Sequence, residues 1–433
     1  MQKFIYTVFT AVLTSFFFFP FEFKALPGVN TKLALAVMGL AVLVINMSRR
    51  RNSLFDKDVF ILSIIAALVS IIGWASITIN STPDTAYATY LISMWVWIAA
   101  AYFVCFVMKQ VHGRLSFQII VNYLAAVCVA QCFFAVLFDM SPSAKLFIDT
   151  YIEQGQVFLT DVKRMYGIGA ALDVAGIRFS AILVLIAYIA CAYKCSHMQN
   201  IVYVLSYIII AVVGNMIART AIVGVGLSMA LLLVLSFKHQ ECRIGLSSFL
   251  RVFSGVLLIA VPVIVVLYNT NPQIHSNLRF AFEGFFNLFE TGEFTTTSTE
   301  KLQTMYVFPD NLKTWLIGDG YFSSPRDVDP YFIGKIVGGY YMGTDVGYLR
   351  FIFYFGVIGL IAFSSVIIKA GTMIMKIYPD NKIAFVFLML VNFICWFKVA
   401  TDLFLIFALF GAQKLLQEDN PSDLLLKKNE TVI

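Results

Sequence analysis

The stretch Gly343-Thr-Asp-Val-Gly-Tyr-Leu-Arg-Phe-Ile-Phe-Tyr-Phe-Gly-Val-Ile-Gly-Leu360 is where a long polar segment ends and an apolar helix begins. Asp345 and Arg350 stand at that boundary, and no further charge follows until Lys369. An uncharged run of this kind matches the roughly 20 residues that a helix needs to cross a bilayer. The reading is a membrane helix whose rim carries an acid and a base and faces a large loop. Such a rim is a place for chemistry at a membrane surface.

The pattern recurs along the chain. Hydrophobic residues make up 60% of the 433, with 42 phenylalanines and only 13% charged residues, and the mean hydropathy is +0.84. A soluble domain carries about 45–50% apolar residues. The composition predicts an all-α polytopic integral membrane protein forming one transmembrane domain, 1–433. Apolar runs are expected as helices near 4–19, 33–47, 59–78, 90–108, 117–138, 179–193, 201–217, 220–237, 252–268, 346–368, 383–397 and 399–410, the last two being short enough to form one re-entrant pair. That is about twelve transmembrane helices. No small-x-small cleavage site follows the first run, so it reads as a retained helix.

Basic residues at Arg49-Arg50-Arg51, Lys109, Arg114, Lys194, Lys238, Arg243, Lys369, Lys376 and Lys382 fall on one side of this layout. By the positive-inside rule that side is cytoplasmic, along with both termini and a tail at 414–433 that is expected to be charged and disordered from Gln417 onward. Two long loops, 139–178 and 269–344, lie on the other side. The net charge of +6 is spread over helix ends, which gives nucleic acid no basic patch. None of the seven cysteines falls in an external loop, so no disulfide framework is expected, and Cys191 and Cys195 read as packing residues. In the second loop, Thr297-Ser-Thr-Glu300 matches a capping box opening a helix at 301–307. The phenylalanines between Phe280 and Phe289 suit a short helix, either in the membrane interface or packed on other helix ends.

Charge is costly in a bilayer, so charged residues near helix ends on the loop side are the functional candidates. They are Arg164, Asp173, Arg178, Arg219, Arg326, Asp345 and Arg350. One arginine there is explained by snorkelling to headgroups; several at the feet of two loops are not. The guanidinium fork matches phosphate oxygens, so a cluster suits a lipid-linked diphosphate. Arg219 sits in a connection too short to hide it, Ala218-Arg219-Thr220. Lys398 and Asp402 lie four apart and are expected to neutralise each other within the bundle, a proton or ion relay being the alternative. Asp327-Val-Asp329 is too short a pattern to carry a metal site, and His275, the one external histidine, reads as a surface residue. No glycine loop for nucleotide phosphates and no nucleophile elbow appears.

Three local patterns carry a resemblance. They are Arg164-Met-Tyr-Gly167 with Gly176-Ile-Arg178; Ala218-Arg219-Thr220 before an aliphatic helix; and Leu316-Ile-Gly-Asp-Gly320 with Asp345-Val-Gly-Tyr-Leu349 and Gly356-Val-Ile-Gly359. In order and loop placement they resemble the O-antigen polymerase and ligase superfamily, the Wzy-type polymerases and their relatives, over most of residues 160–360. Ligases of that superfamily usually carry histidine where this chain has Asp345, which favours the polymerases. The resemblance implies a GT-C-like membrane glycosyltransferase of the bacterial inner membrane, with its active site facing the periplasm. It would join undecaprenyl-diphosphate-linked oligosaccharide repeat units, donor and acceptor, into O-antigen or a similar surface polysaccharide, and a chain-length regulator would be a partner. In this role Asp345 would be the catalytic base, while Arg164, Arg178, Arg219, Arg350 and Arg326 would bind the diphosphate, with no metal and no cofactor required. A ligase and a lipid-linked oligosaccharide flippase are the alternatives.

Overall fold

The computed structural model describes residues 2–49, 57–162, 164–238, 240–336 and 339–416. A helix occupies each of the twelve expected apolar segments. These are α1 Gln2–Phe18, α2 Thr31–Arg49, α3 Lys57–Asn80, α4 Tyr90–His112, α5 Phe117–Met140, α6 Leu172–Ala192, α7 His197–Ile217, α8 Ala221–Lys238, α9 Gln240–Thr270, α10 Gly347–Ile377, α11 Lys382–Cys395 and α12 Phe404–Leu416. Seven of them (α3, α4, α5, α6, α7, α9 and α10) are long and apolar enough to cross a membrane; α1, α2, α8 and α12 are apolar but shorter. The chain is thus an all-α, multi-pass membrane protein. The only strands among the described residues are Glu22–Phe23 and Ile152–Glu153, paired antiparallel. Arg50 and Arg51 of the basic triplet and the tail from residue 417 lie outside the described residues.

Helix α6 is the axis of the bundle. Every residue from Ala175 to Cys191 is buried, as expected of a helix that is apolar all round. Helices α5, α7, α8, α9 and α11 pack against it. Two glycines allow the closest approach. A Cβ at Gly224 would fall 2.3 Å from the Ser180 Cα, and one at Gly176 would fall 2.9 Å from the Ala218 and Thr220 Cβ atoms. Ser180 Oγ then donates to the Thr220 carbonyl at 2.9 Å and accepts from Gly224 N at 3.1 Å, so the two helices are joined by polar contacts in an apolar core.

The two pieces of the closing motif meet in space. Helix α10 breaks at Phe355 and Gly356, where Gly356 has φ +70°, a conformation open in practice to glycine alone. A Cβ there would lie 2.1 Å from the Leu316 carbonyl oxygen. The break takes carbonyls out of the helix ladder, and the 318–320 turn occupies them. Asp319 N donates to the Phe353 carbonyl at 2.6 Å and Gly320 N to that of Tyr354 at 3.1 Å. Asp84, from the α3–α4 connection, holds the next residues by accepting from Phe322 N at 2.8 Å and Ser323 N at 3.1 Å.

Three local expectations are corrected. The helix over 172–192 begins inside the segment expected as loop, so Asp173 and Arg178 are helical residues. The loop helix spans Thr297–Thr304 and its cap is Thr296, whose side chain accepts from Thr299 N; Thr297 instead bonds the Glu283 carboxylate. Lys398 and Asp402 do not neutralise one another. The chain between α11 and α12 is irregular, which removes the helical spacing that would have paired them. Lys398 Nζ reaches Asp173 Oδ1 at 2.8 Å, and Asp402 Oδ1 accepts from Phe404 N at 2.8 Å, at the start of α12. The phenylalanine-rich segment forms two short helices, Pro272–Ala281 and Glu283–Thr291, and the first of these packs on α7 and α9.

Candidate functional site

At the end of the bundle where α6 and α10 begin, the loops enclose a cavity of about 340 Å³. Arg164, Asp173, Arg219, Lys301, Tyr340, Asp345 and Lys398 line it. These residues come from six parts of the chain: the segment before α6, the first turn of α6, the α7–α8 turn, the Thr297–Thr304 helix, the segment before α10, and the α11–α12 connection. Four cations and two carboxylates therefore face one space, and the wall is on balance basic.

Phe280 organises the arginines. The guanidinium carbons of Arg164 and Arg219 each lie 3.9 Å from its ring centroid. Each guanidinium is drawn to the electrons of that ring, which brings two cations to one side chain. Arg219 is held further by its Nε donating to the Phe280 carbonyl at 2.8 Å, by Ser298 Oγ at 2.9 Å and by an ion pair with Glu283 at 2.6 Å. Burial pushes both arginines below the usual guanidinium value, opposed at Arg219 chiefly by Glu283 and at Arg164 by Asp173 and Glu283.

Lys398 reaches the cavity from the α11–α12 connection. Its Nζ donates to Asp173 Oδ1 at 2.8 Å and to Thr220 Oγ1 at 2.9 Å, and the Thr220 hydroxyl donates to the same carboxylate oxygen. The three groups form a closed triangle between α6, the α7–α8 turn and the α11–α12 connection.

Asp345 is the one carboxyl in the cavity without a close cationic partner. Its Oδ1 is buried and accepts no hydrogen bond, and the nearest guanidinium nitrogen, Arg350 Nη1, lies at 3.8 Å. Burial, helped by the charge of Asp173, raises its pKa from 3.8 to about 6, with Arg350, Lys398 and Lys301 opposing.

Of the residues singled out in the sequence, Arg164, Arg219 and Asp345 meet in this cavity. Arg350 lies behind it, its guanidinium stacked between the rings of Phe322 at 3.8 Å and Tyr340 at 4.0 Å and donating to the Phe322 carbonyl at 3.0 Å. Arg178 is buried in α6, where it donates to the Phe18 carbonyl at the end of α1. Arg326 is exposed on the short helix Pro325–Val328, away from the cavity wall. His275 is half-buried and stacks on Tyr268 at 4.1 Å. Phe280, Lys301 and Tyr340 escaped the sequence reading. Lys301 was visible only as part of a capped helix, while the two rings carry no charge to mark them. Among the described residues, no three His, Cys, Asp or Glu side chains converge as a metal site.

Comparison of the chain with protein-family models, with curated proteins and with solved structures returns no match.

Proposed function

We propose that this protein is a membrane glycosyltransferase, an O-antigen polymerase of the Wzy type. It would join oligosaccharide repeat units carried on undecaprenyl diphosphate at the periplasmic face of the bacterial inner membrane. The observation that carries the reading is the convergence of Arg164, Arg219 and Lys398 with a carboxyl titrating near 6 in one cavity. Fixed cations suit a diphosphate, and a carboxyl with a pKa raised toward neutrality suits a general base. In this orientation the lysines at the far end of α10, Lys369 and Lys376, which surround Asp58 at 2.6 and 3.0 Å, lie on the cytoplasmic side. The span count under this reading is twelve.

The reaction joins an acceptor hydroxyl to the anomeric carbon of the donor. Asp345 takes the hydroxyl proton as the oxygen attacks, the bond from the anomeric carbon to the diphosphate oxygen breaks, and the electron pair leaves with the lipid diphosphate. Arg164 and Arg219, both held against Phe280, stabilise the charge that develops there, and Lys398 adds a third cation. Attack from the face opposite the leaving group inverts the anomeric centre. Arg350 is placed to hold Asp345 in position and to temper its pKa rather than to touch the diphosphate.

The test is the surface glycan of a host lacking the protein. Lipid-anchored glycans with a single repeat unit, extended to a ladder by wild type but not by Arg219→Ala, are the expected result. Long polymer retained on its lipid carrier would instead indicate a ligase. Repeat units trapped on the cytoplasmic leaflet would indicate a flippase and overturn the catalytic reading.

A further inference from the structure

A second cavity, of about 200 Å³, adjoins the first. The two share a wall: Arg219, Ser298, Leu302 and Lys398 line both. Beyond that wall their chemistry diverges. The second cavity is mainly apolar, built from Ile222 and Val223 in the first turn of α8, Ile394 near the end of α11, and Phe282, Phe285 and Phe294 of the loop. Glu283, the ion-pair partner of Arg219, and Asn215, Thr296 and Thr299 also line it. Ile222, Ile394, Phe285 and Phe294 are exposed, so the apolar cavity is open to the surroundings of the bundle. The rings of Phe285 and Phe294 pack edge to face at 5.4 Å. Gly284 beneath them leaves room for the Phe294 ring and no more, because a Cβ there would lie 2.7 Å from it.

An apolar slot and a basic cavity divided by two cations match an amphiphile with an anionic head and a hydrocarbon tail. We infer that the second cavity receives the first isoprenoid units of a prenyl diphosphate whose head lies against Arg219 and Lys398. The shared cations would then meet the diphosphate at the junction of the two spaces. The sugar would occupy the polar cavity beside Asp345, and the tail would leave between the first turn of α8 and the end of α11. This inference rests on the proposed function and adds to it the direction in which the lipid lies. The charged residues lining the slot, Arg219, Lys398 and Glu283, leave one net positive charge, which commits the slot to a diphosphate-bearing chain over a neutral lipid.

Binding of inorganic diphosphate, geranyl diphosphate and farnesyl diphosphate to the purified full chain in detergent tests it. Affinity is expected to rise with chain length, farnesyl diphosphate binding at least about tenfold tighter than inorganic diphosphate through burial of apolar surface. Ile222→Trp, which fills the slot, is expected to abolish that gain; partition of the prenyl chain into the micelle is common to both proteins and does not mimic the difference. Equal affinities across the wild-type series, or a gain untouched by Ile222→Trp, would overturn the inference while leaving the diphosphate reading in place. If none of the three ligands binds, the diphosphate reading itself fails and this inference with it. Should Ile222→Trp not fold, Ile394→Trp, which fills the slot from α11, takes its place with the same two outcomes.

Discussion

Arg164 and Arg219 close on a single ring, that of Phe280, with both guanidinium carbons 3.9 Å from its centroid. The ring does two things at once. It attracts both cations, and it gathers them in one place, where under the proposed function they act together on one ligand. Replacing Phe280 by Leu keeps most of the apolar bulk and removes the π-faces. The expected outcome is about tenfold weaker binding of inorganic diphosphate to the purified protein, with Phe280→Tyr retaining wild-type affinity. Equal affinity in Phe280→Leu would show that the ring has no part in holding the arginines.

Under the proposed function Asp345 sets the pH dependence. A base must be deprotonated to act, so activity is expected to rise with pH and level off above about 6. Asp345→Asn should lower turnover about a hundredfold or more and remove that limb. Removing the guanidinium at 3.8 Å in Arg350→Gln takes away a group that favours the carboxylate, so the limb should move upward by about one unit. A purely structural role for Arg350 would lower activity at every pH without moving the limb. Stability carries the opposite sign. The folded carboxyl holds its proton more tightly than the ordinary value of 3.8, so its contribution is fully present below that pH and is lost as pH rises through about 6.

The Asp173–Lys398 pair joins the first turn of α6 to the α11–α12 connection through a partly buried contact, with side chains 24% and 29% exposed. Lys398→Met leaves the Asp173 carboxylate without its cation. It is expected to cost roughly 2–3 kcal/mol, at or below the low end for fully buried pairs because of that exposure. The double variant Asp173→Asn/Lys398→Met should recover much of the loss, which thermal unfolding of the four proteins in detergent would measure as a coupling energy. Strict additivity would show that the two residues do not interact.

Gly356→Ala combines a disfavoured backbone conformation with a Cβ 2.1 Å from the Leu316 carbonyl oxygen. A loss of at least about 2 kcal/mol is expected. Gly359→Ala is a control of different origin, since its Cβ would meet the Phe355 ring, a side chain. Melting temperatures that place Gly356→Ala level with wild type would mean that the break in α10 is not held by the 316–320 turn.

Hydropathy and charge placement were enough to locate every long helix, because a bilayer demands unbroken apolar runs and tolerates charge only at their ends. The same rule exposed Arg164, Arg219 and Asp345, each lying at such an end, and all three line the cavity. It failed where distance along the chain misleads. Lys398 lies four residues from Asp402, a helical spacing, yet the chain is irregular there and Lys398 pairs with Asp173. Arg178 and Arg350 carry the same charge as Arg164 and Arg219, but packing turns the first toward the Phe18 carbonyl and stacks the second between Phe322 and Tyr340. Phe280 is one phenylalanine among 42 and became distinctive only when two arginines closed on it. Sequence by itself determined that this is an all-α, multi-pass membrane protein with charged loops at its helix ends, since solvent preference is a property of each residue alone. Which charges face one another, which carboxyl is left to titrate near 6, and which cations divide the polar cavity from the apolar one were decided by tertiary structure, since these depend on distances between segments that the chain brings together only by folding.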